Sequence, residues 1–220
     1  MNNSRRTIAG RSIRWDEQRA ANAYAQGDWV KQTLVDALHA ALTEQPERTL
    51  IIDGDVRLNA ETLHKQASIL ALQLAQRFPV GSVISFMLPN WFEAAIIYMA
   101  TTIAGMIAHP VLPSLREHDL LFMLQDVDCR MIFIPHYHRG ADTAAMLTRV
   151  AEQFSPPLQV VVVRGDCAPH IAYDSLFTIT AHQSLPSPDP DAVRLIMYTS
   201  GTTGSPKGVM HSHNSIHALI

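Results

Sequence analysis

The run YTSGTTGSPKGV, residues 198–209, gathers the residue types that hold polyphosphate. Gly201 and Gly204 let backbone N–H groups come close to an anion, the hydroxyls of Thr199, Ser200, Thr202 and Thr203 can donate to phosphate oxygens, and Lys207 adds a mobile positive charge. A flexible Gly/Ser linker has a similar composition. The flanks argue for a built site instead. AVRLIMYTS before the run and GVM after it are apolar and strand-like, and SHNSIHALI reads as a helix entered through Ser212 or Asn214. The Walker loop G-x-x-x-x-G-K-[ST] fits only in part. Counted from Gly201 it puts Lys207 at the lysine, but Pro206 stands where a glycine is needed and Gly208 where a magnesium-binding hydroxyl is needed. Proline removes an N–H donor at that turn, which argues against a Walker NTPase and for a different phosphate loop.

Two other groupings have residue types suited to metal chemistry. His213 and His217 stand at i, i+4, the spacing of a helical zinc pair, with His211 close by, yet no carboxylate or cysteine adjoins them. His136 and His138, in HYHRG, read as a surface loop after a strand. No metal ligand is assigned. Cys129 and Cys167 are far apart and form no CxxC pair, so neither a disulfide framework nor a zinc site is expected, and a reducing, cytoplasmic setting fits.

The elements that must position the loop follow from periodicity. WVKQTLVDALHAALTEQ places Val30, Leu34, Leu38, Ala41 and Leu42 on one helical face, with Pro46 as its stop. NAETLHKQASILALQLAQRF starts from an Asn59 cap and repeats apolar residues at Leu63, Ala67, Leu70 and Leu74. RTLIID and the return after GD read as a hairpin, and WFEAAIIYMATTIA, LREHDLLFMLQDV and DTAAMLTRVAEQF read as helices. Between them SVISFML, MIAHPVL, RMIFIP and LQVVVVRG are continuous apolar runs of strand length, the mark of strands buried on both faces. The order strand, helix, strand predicts an α/β domain whose mostly parallel sheet is covered by helices on both faces. SLPSPDPD reads as a surface connection.

Composition narrows the function. With 47% hydrophobic and 17% charged residues in 220, the chain buries a core, and a net charge of -3 gives no footprint for nucleic acid. Arg5, Arg6, Arg11 and Arg14 read as a solvated N-terminal arm, and no apolar secretory segment accompanies them. Residues 94–115 lack Asp, Glu, Lys and Arg but are broken at His109 and Pro110, so residues 94–108 are read as a core helix beside the strand at 82–88, not as a membrane span.

At this point a resemblance enters. Residues 199–208 match every position of T-S-G-T-T-G-x-P-K-G, and the run resembles the signature of the AMP-forming, adenylate-forming enzymes: acyl-CoA synthetases, adenylation domains and firefly luciferase. The upstream stretch from GSVISFMLPNWFEAA to CRMIFI is similar to the strand–helix–strand part that precedes the ATP site in that superfamily, and the likeness covers residues 30–220. WDEQRAANAYAQGDW, with Trp15 and Trp29, looks like the lead-in of medium-chain fatty acid and cyclohexanecarboxylate CoA ligases; equally, both tryptophans serve as anchors onto the core.

The resemblance implies an N-terminal arm at 1–29 and, at 30–220, the N-terminal portion of the large AMP-binding domain, incomplete and without the C-terminal domain. It implies ATP-dependent activation of a carboxylic acid, fatty or alicyclic, as an acyl-adenylate, followed by transfer to coenzyme A. ATP, Mg2+ and coenzyme A would be the cofactors and co-substrates. The loop from Thr199 to Gly204 would hold the β- and γ-phosphates, and Lys207 would stabilise departing pyrophosphate. In the superfamily the adenine, magnesium and ribose sites and the principal catalytic lysine lie downstream of this loop, so the 220-residue chain by itself is expected to be inactive. The alternative expectation is a truncated, non-catalytic nucleotide-binding or regulatory product.

Overall fold

The computed structural model describes residues 4–178, 184–199 and 206–218. Strands β1 (Arg5–Ile8) and β2 (Arg11–Arg14) form an antiparallel hairpin. Helix α1 (Glu17–Gln26) follows, capped by Asp16, whose carboxylate accepts from the Arg19 amide. The four arginines expected on a solvated arm therefore sit in or beside ordered structure. Arg5 bonds Ser12, Arg11 donates to the Val127 carbonyl at 3.2 Å, and Arg6 lies 5.0 Å over the Trp15 ring.

Helix α2 spans Leu34–Glu44. It starts four residues later than Val30, because Thr33 and Asp36 form a reciprocal capping box that fixes the first turn there. The hairpin β3 (Thr49–Asp53) and β4 (Val56–Asn59) leads into α3 (Ala60–Arg77), with Asn59 accepting from the Thr62 amide as the cap read from sequence. Then come β5 (Val83–Phe86), α4 (Phe92–Ile103), β6 (Ile107–Pro110), α5 (Glu117–Asp126) and β7 (Cys129–Ile134). A short hairpin of β8 (Tyr137–His138) and β9 (Ala141–Asp142) precedes α6 (Thr143–Ala151) and β10 (Gln159–Val162). Strand β11 (Ile171–Ala172) runs into a 3-10 turn, Tyr173–Phe177. The described chain closes with β12 (Val193–Thr199), β13 (Lys207–Ser212) and α7 (His213–His217), the last capped by Ser212.

Seven strands form the main sheet, in the order β11-β10-β7-β5-β6-β12-β13, parallel except for the β12–β13 pair. Alternation along the strands separates two cores. Ile84, Met131, Phe133 and Val161 face α3 and α4, while Val83, Ile132, Ile134, Val160 and Val162 face α5 and α6. Burial on both faces explains why these strands read as unbroken apolar runs. Residues 94–108 divide into the buried helix α4, a turn, and the start of β6, and among the described residues no helix is long and apolar enough to cross a membrane.

Gly81 is needed where the first hairpin meets the sheet. Its φ is +81°, and a Cβ there would stand 2.2 Å from the Ala9 carbonyl oxygen. That close backbone approach docks β1–β2 against the start of β5.

Candidate functional site

The phosphate-type run sits at the joint of an antiparallel hairpin. Thr199 ends β12, Lys207 begins β13, and the two are register partners, as are Tyr198 and Gly208. Both Thr199 and Lys207 are exposed, at the carboxyl edge of the sheet. The two strands read from sequence on either side of the run are present. Ser200, Gly201, Thr202, Thr203 and Gly204 lie outside the described residues.

What the sequence did not disclose is how the root of the loop is held. The Tyr198 hydroxyl donates to Asp126 Oδ2 at the end of α5, and its ring lies 5.4 Å from that of His109 on β6. Burial and the bond to Asp126 push the Tyr198 phenol well above its ordinary range, so it remains a donor. A side chain at Gly208 would meet that ring, since its Cβ would lie 3.2 Å from Tyr198 Cζ. Glycine at this register position leaves room for the aromatic ring across the strand pair.

Beneath Tyr198 lies a buried polar chain. Ser85 Oγ is 2.8 Å from His109 Nδ1 and 3.0 Å from Cys129 Sγ, whose thiol donates to the Met131 carbonyl. His109 is fully buried and its Nε2 has no hydrogen-bond partner among the described residues. Burial holds the imidazole down at about 4, so it is neutral at pH 7, and burial pushes the Cys129 thiol up to about 11. A neutral histidine and a protonated thiol, both sealed from solvent, are packing groups of the site and not nucleophiles.

In front of the hairpin, an open crevice of about 700 Å3 lies at the carboxyl ends of β5, β6 and β12, with Leu88, Asn90, Val111, Ser114, Arg139 and Tyr198 among its walls. In open parallel sheets this is the end where ligands bind. A groove of similar size, about 680 Å3, lies near Gly81 and Arg130 and is lined by none of the described residues of the phosphate-type run. Position on the sheet favours the first. Arg139 reaches the crevice because HYHRG is not the plain loop expected: β8 and β9 close through Arg139 (φ 49°) and Gly140 (φ 83°), a two-residue turn with both φ values positive. The Arg-Gly pair was the available signal for that turn.

Arg164, at the end of β10, is held by Glu93 through two 2.7 Å bonds and by Asp53 at 3.1 Å, with its guanidinium 4.1 Å over the Trp91 ring. This network joins β3, α4 and β10 and shapes the sheet edge. Among the described residues no group of three or more His, Cys, Asp or Glu could hold a metal ion; His213 instead accepts from the Leu34 amide through Nδ1, at 3.2 Å.

With this geometry in place, the comparisons are specific. Residues 38–220 match the AMP-binding enzyme family. The chain is 32% identical over 213 residues to the medium-chain fatty-acid–CoA ligase of Escherichia coli (strain K12), covering 94% of this chain and 38% of that protein. It is 27% identical over 222 residues to the 2-hydroxy-7-methoxy-5-methyl-1-naphthoate–CoA ligase of Streptomyces carzinostaticus, covering 94% and 39%. Among solved structures, apo MbtA of Mycobacterium smegmatis superposes with a TM-score of 0.81 at 25% identity, covering 91% of this chain and 37% of that one. The luciferase-like enzyme of the mealworm Zophobas morio gives 0.73 at 21% identity, covering 84% and 43%, a likeness of fold. The chain thus spans about two fifths of the length of the curated relatives. Signature run, doubly covered parallel sheet and a family match over residues 38–220 agree that this chain belongs to the AMP-binding enzyme family.

Proposed function

We propose that this chain supplies the N-terminal, phosphate-loop part of an ATP-dependent, AMP-forming acid–thiol ligase acting in the cytoplasm. The observation that carries the reading is the β12–β13 pair, which sets Thr199 opposite Lys207 at the carboxyl edge of the sheet, together with the complete T-S-G-T-T-G-x-P-K-G run that the sequence holds from Thr199 to Gly208. Two of the relatives that match 94% of this chain are CoA ligases, which supports coenzyme A as the acceptor, and one of them is a medium-chain fatty-acid ligase, which supports a fatty acid within the proposed fatty or alicyclic class.

In this reading a substrate carboxylate oxygen attacks the α-phosphorus of ATP, the bond to the bridging oxygen breaks, and pyrophosphate leaves. The thiol of coenzyme A then adds to the acyl carbon and AMP departs. Residues Thr199, Ser200, Gly201, Thr202, Thr203 and Gly204 would donate to the β- and γ-phosphates, and the Lys207 ammonium would neutralise charge growing on the leaving group. Each acts by position and charge. Magnesium enters only as the counter-ion of ATP, with no ligand assigned on this chain. Residues 1–29 are proposed as an arm on a domain occupying 30–220.

The test is ATP–pyrophosphate exchange with fatty, alicyclic and aromatic acids. It is run on the 220-residue chain and on a hybrid in which that chain replaces the matching part of the E. coli medium-chain ligase. The hybrid is expected to exchange and the chain alone is not. Lys207→Ala or Thr203→Ala in the hybrid should each slow exchange by the equivalent of about 2–4 kcal/mol. A folded hybrid with no exchange on any acid would refute the ligase assignment.

A further inference from the structure

Strand β12 carries a bulge. Val193 pairs with Ser212 and Leu195 with His211, which leaves Arg194 as an extra residue with no partner across the ladder. Bulges of this kind re-aim a side chain. Here the neighbours Val193 and Ile196 face the α5–α6 core while Leu195 faces the opposite one, and the Arg194 guanidinium lies 4.6 Å over the ring of Tyr98 on α4. Arg194 is 5% exposed, and its Nε and Nη2 have no hydrogen-bond partner among the described residues. A guanidinium removed from water without an acceptor is strongly destabilising, and one aromatic face returns only part of that.

The carboxylates around it are occupied elsewhere. Asp189 is exposed and accepts from the Asp191 amide at 2.8 Å, Asp191 accepts from Tyr24 and Asn214 at 2.8 Å each, and Asp36 is taken up by Thr33. Arg194 lines a cavity of about 60 Å3 with Thr102, Pro186, Asp189 and His213. His213 accepts from the Leu34 amide through Nδ1, so the ring is neutral and its proton is on Nε2. Burial and the Arg194 charge both hold its pKa down, at about 3. Of the two charges in the lining, the Asp189 carboxylate is exposed to water and the Arg194 guanidinium is buried and unpaired, so the buried wall carries one uncompensated positive charge, and the space suits one small ion and excludes a nucleotide.

We propose that Arg194 is the cation of a binding site for a small monoanion, chloride or a carboxylate of formate or acetate size, separate from the phosphate-type loop. The fit is one charge to one charge in a largely apolar cavity, which disfavours multiply charged phosphate or sulfate. The site stabilises the folded chain by linkage, because the unfolded chain has no such cavity.

The experiment follows the melting temperature of the 220-residue chain at pH 7.5 and constant ionic strength as sodium gluconate, too large for the cavity, is replaced by chloride or acetate. At tenfold over Kd the melting temperature should rise by roughly 3–6 °C. Arg194→Met should abolish that dependence and Asp189→Asn should keep it. The same dependence in Arg194→Met, or none in the wild type, overturns the site. Dependence gained only in Asp189→Asn also overturns it, by identifying Asp189 as the partner of Arg194. If Arg194→Met fails to fold, 35Cl NMR of the wild type decides: saturable line broadening displaced by acetate supports the site, and its absence overturns it.

Discussion

Two buried histidines set the acid stability of this chain. Burial holds His109 at about 4, opposed only weakly by Asp126, and burial together with Arg194 holds His213 at about 3 against the pull of Asp36, both from an ordinary 6.5. Between those values and 6.5 the unfolded chain binds protons that the folded chain refuses. Stability is therefore full above about pH 7 and falls as the pH drops through 6.5. Integrated from pH 7 to pH 5, each histidine removes about 2 kcal/mol, and the pair about 4 kcal/mol, a large share of the usual 5–15 kcal/mol. Carboxylates such as Asp36, whose pKa is lowered by its bonds to Thr33, stay ionised in this window and contribute only at lower pH; half-buried His64, also lowered, adds in the same direction. Urea unfolding followed by tryptophan fluorescence at pH 7, 6 and 5 measures the loss. His109→Met removes one titrating ring and leaves Ser85 its contact with Cys129; His213→Asn keeps an acceptor for the Leu34 amide. Each variant should lose only about half as much stability as the wild type. A wild type flat from pH 7 to 5, or single variants with the full slope, would refute the reasoning.

Other perturbations separate backbone, ionic and packing terms. Gly81→Ala forces a side chain against the Ala9 carbonyl at a φ of +81° and should cost about 2–4 kcal/mol, with protease cleavage appearing first near the β1–β2 hairpin. Glu93→Ala strips Arg164 of its bidentate partner and should lower stability by about 2–3 kcal/mol, read from the urea midpoint. Leu70→Ala opens a void at a fully buried position of α3 and should cost about 2–5 kcal/mol in the same assay.

The sheet was legible because its strands are buried on both faces, so SVISFML and RMIFIP carry an apolar signal that no surface strand would give. Asn59 and Ser212 were readable as caps because their bonds are local, three residues along the chain. Val30 was misplaced on a helix because periodicity cannot see that Thr33 and Asp36 satisfy each other and start α2 later. The fixings that no local pattern encodes are long-range. Tyr198 meets Asp126 across 72 positions, Arg164 meets Glu93 across 71, and Arg194 is re-aimed by a bulge that exists only in the β12–β13 register.

Those long-range fixings also bear on the proposed phosphate role of a glycine- and hydroxyl-rich run. Such a run has the conformational freedom of a linker, and ordering it around phosphate costs entropy unless its ends are already fixed. Here Tyr198, immediately before Thr199, is gripped by Asp126 of α5, packed against His109 of β6 and laid over Gly208 of β13, while the ladder sets Thr199 opposite Lys207. Three elements thus pin one end of the run, and the strand register pins the other. The donors and charge proposed for phosphate thus lie between two strands whose facing ends are fixed, the first of them through Tyr198 packed on the buried His109 that Ser85 holds.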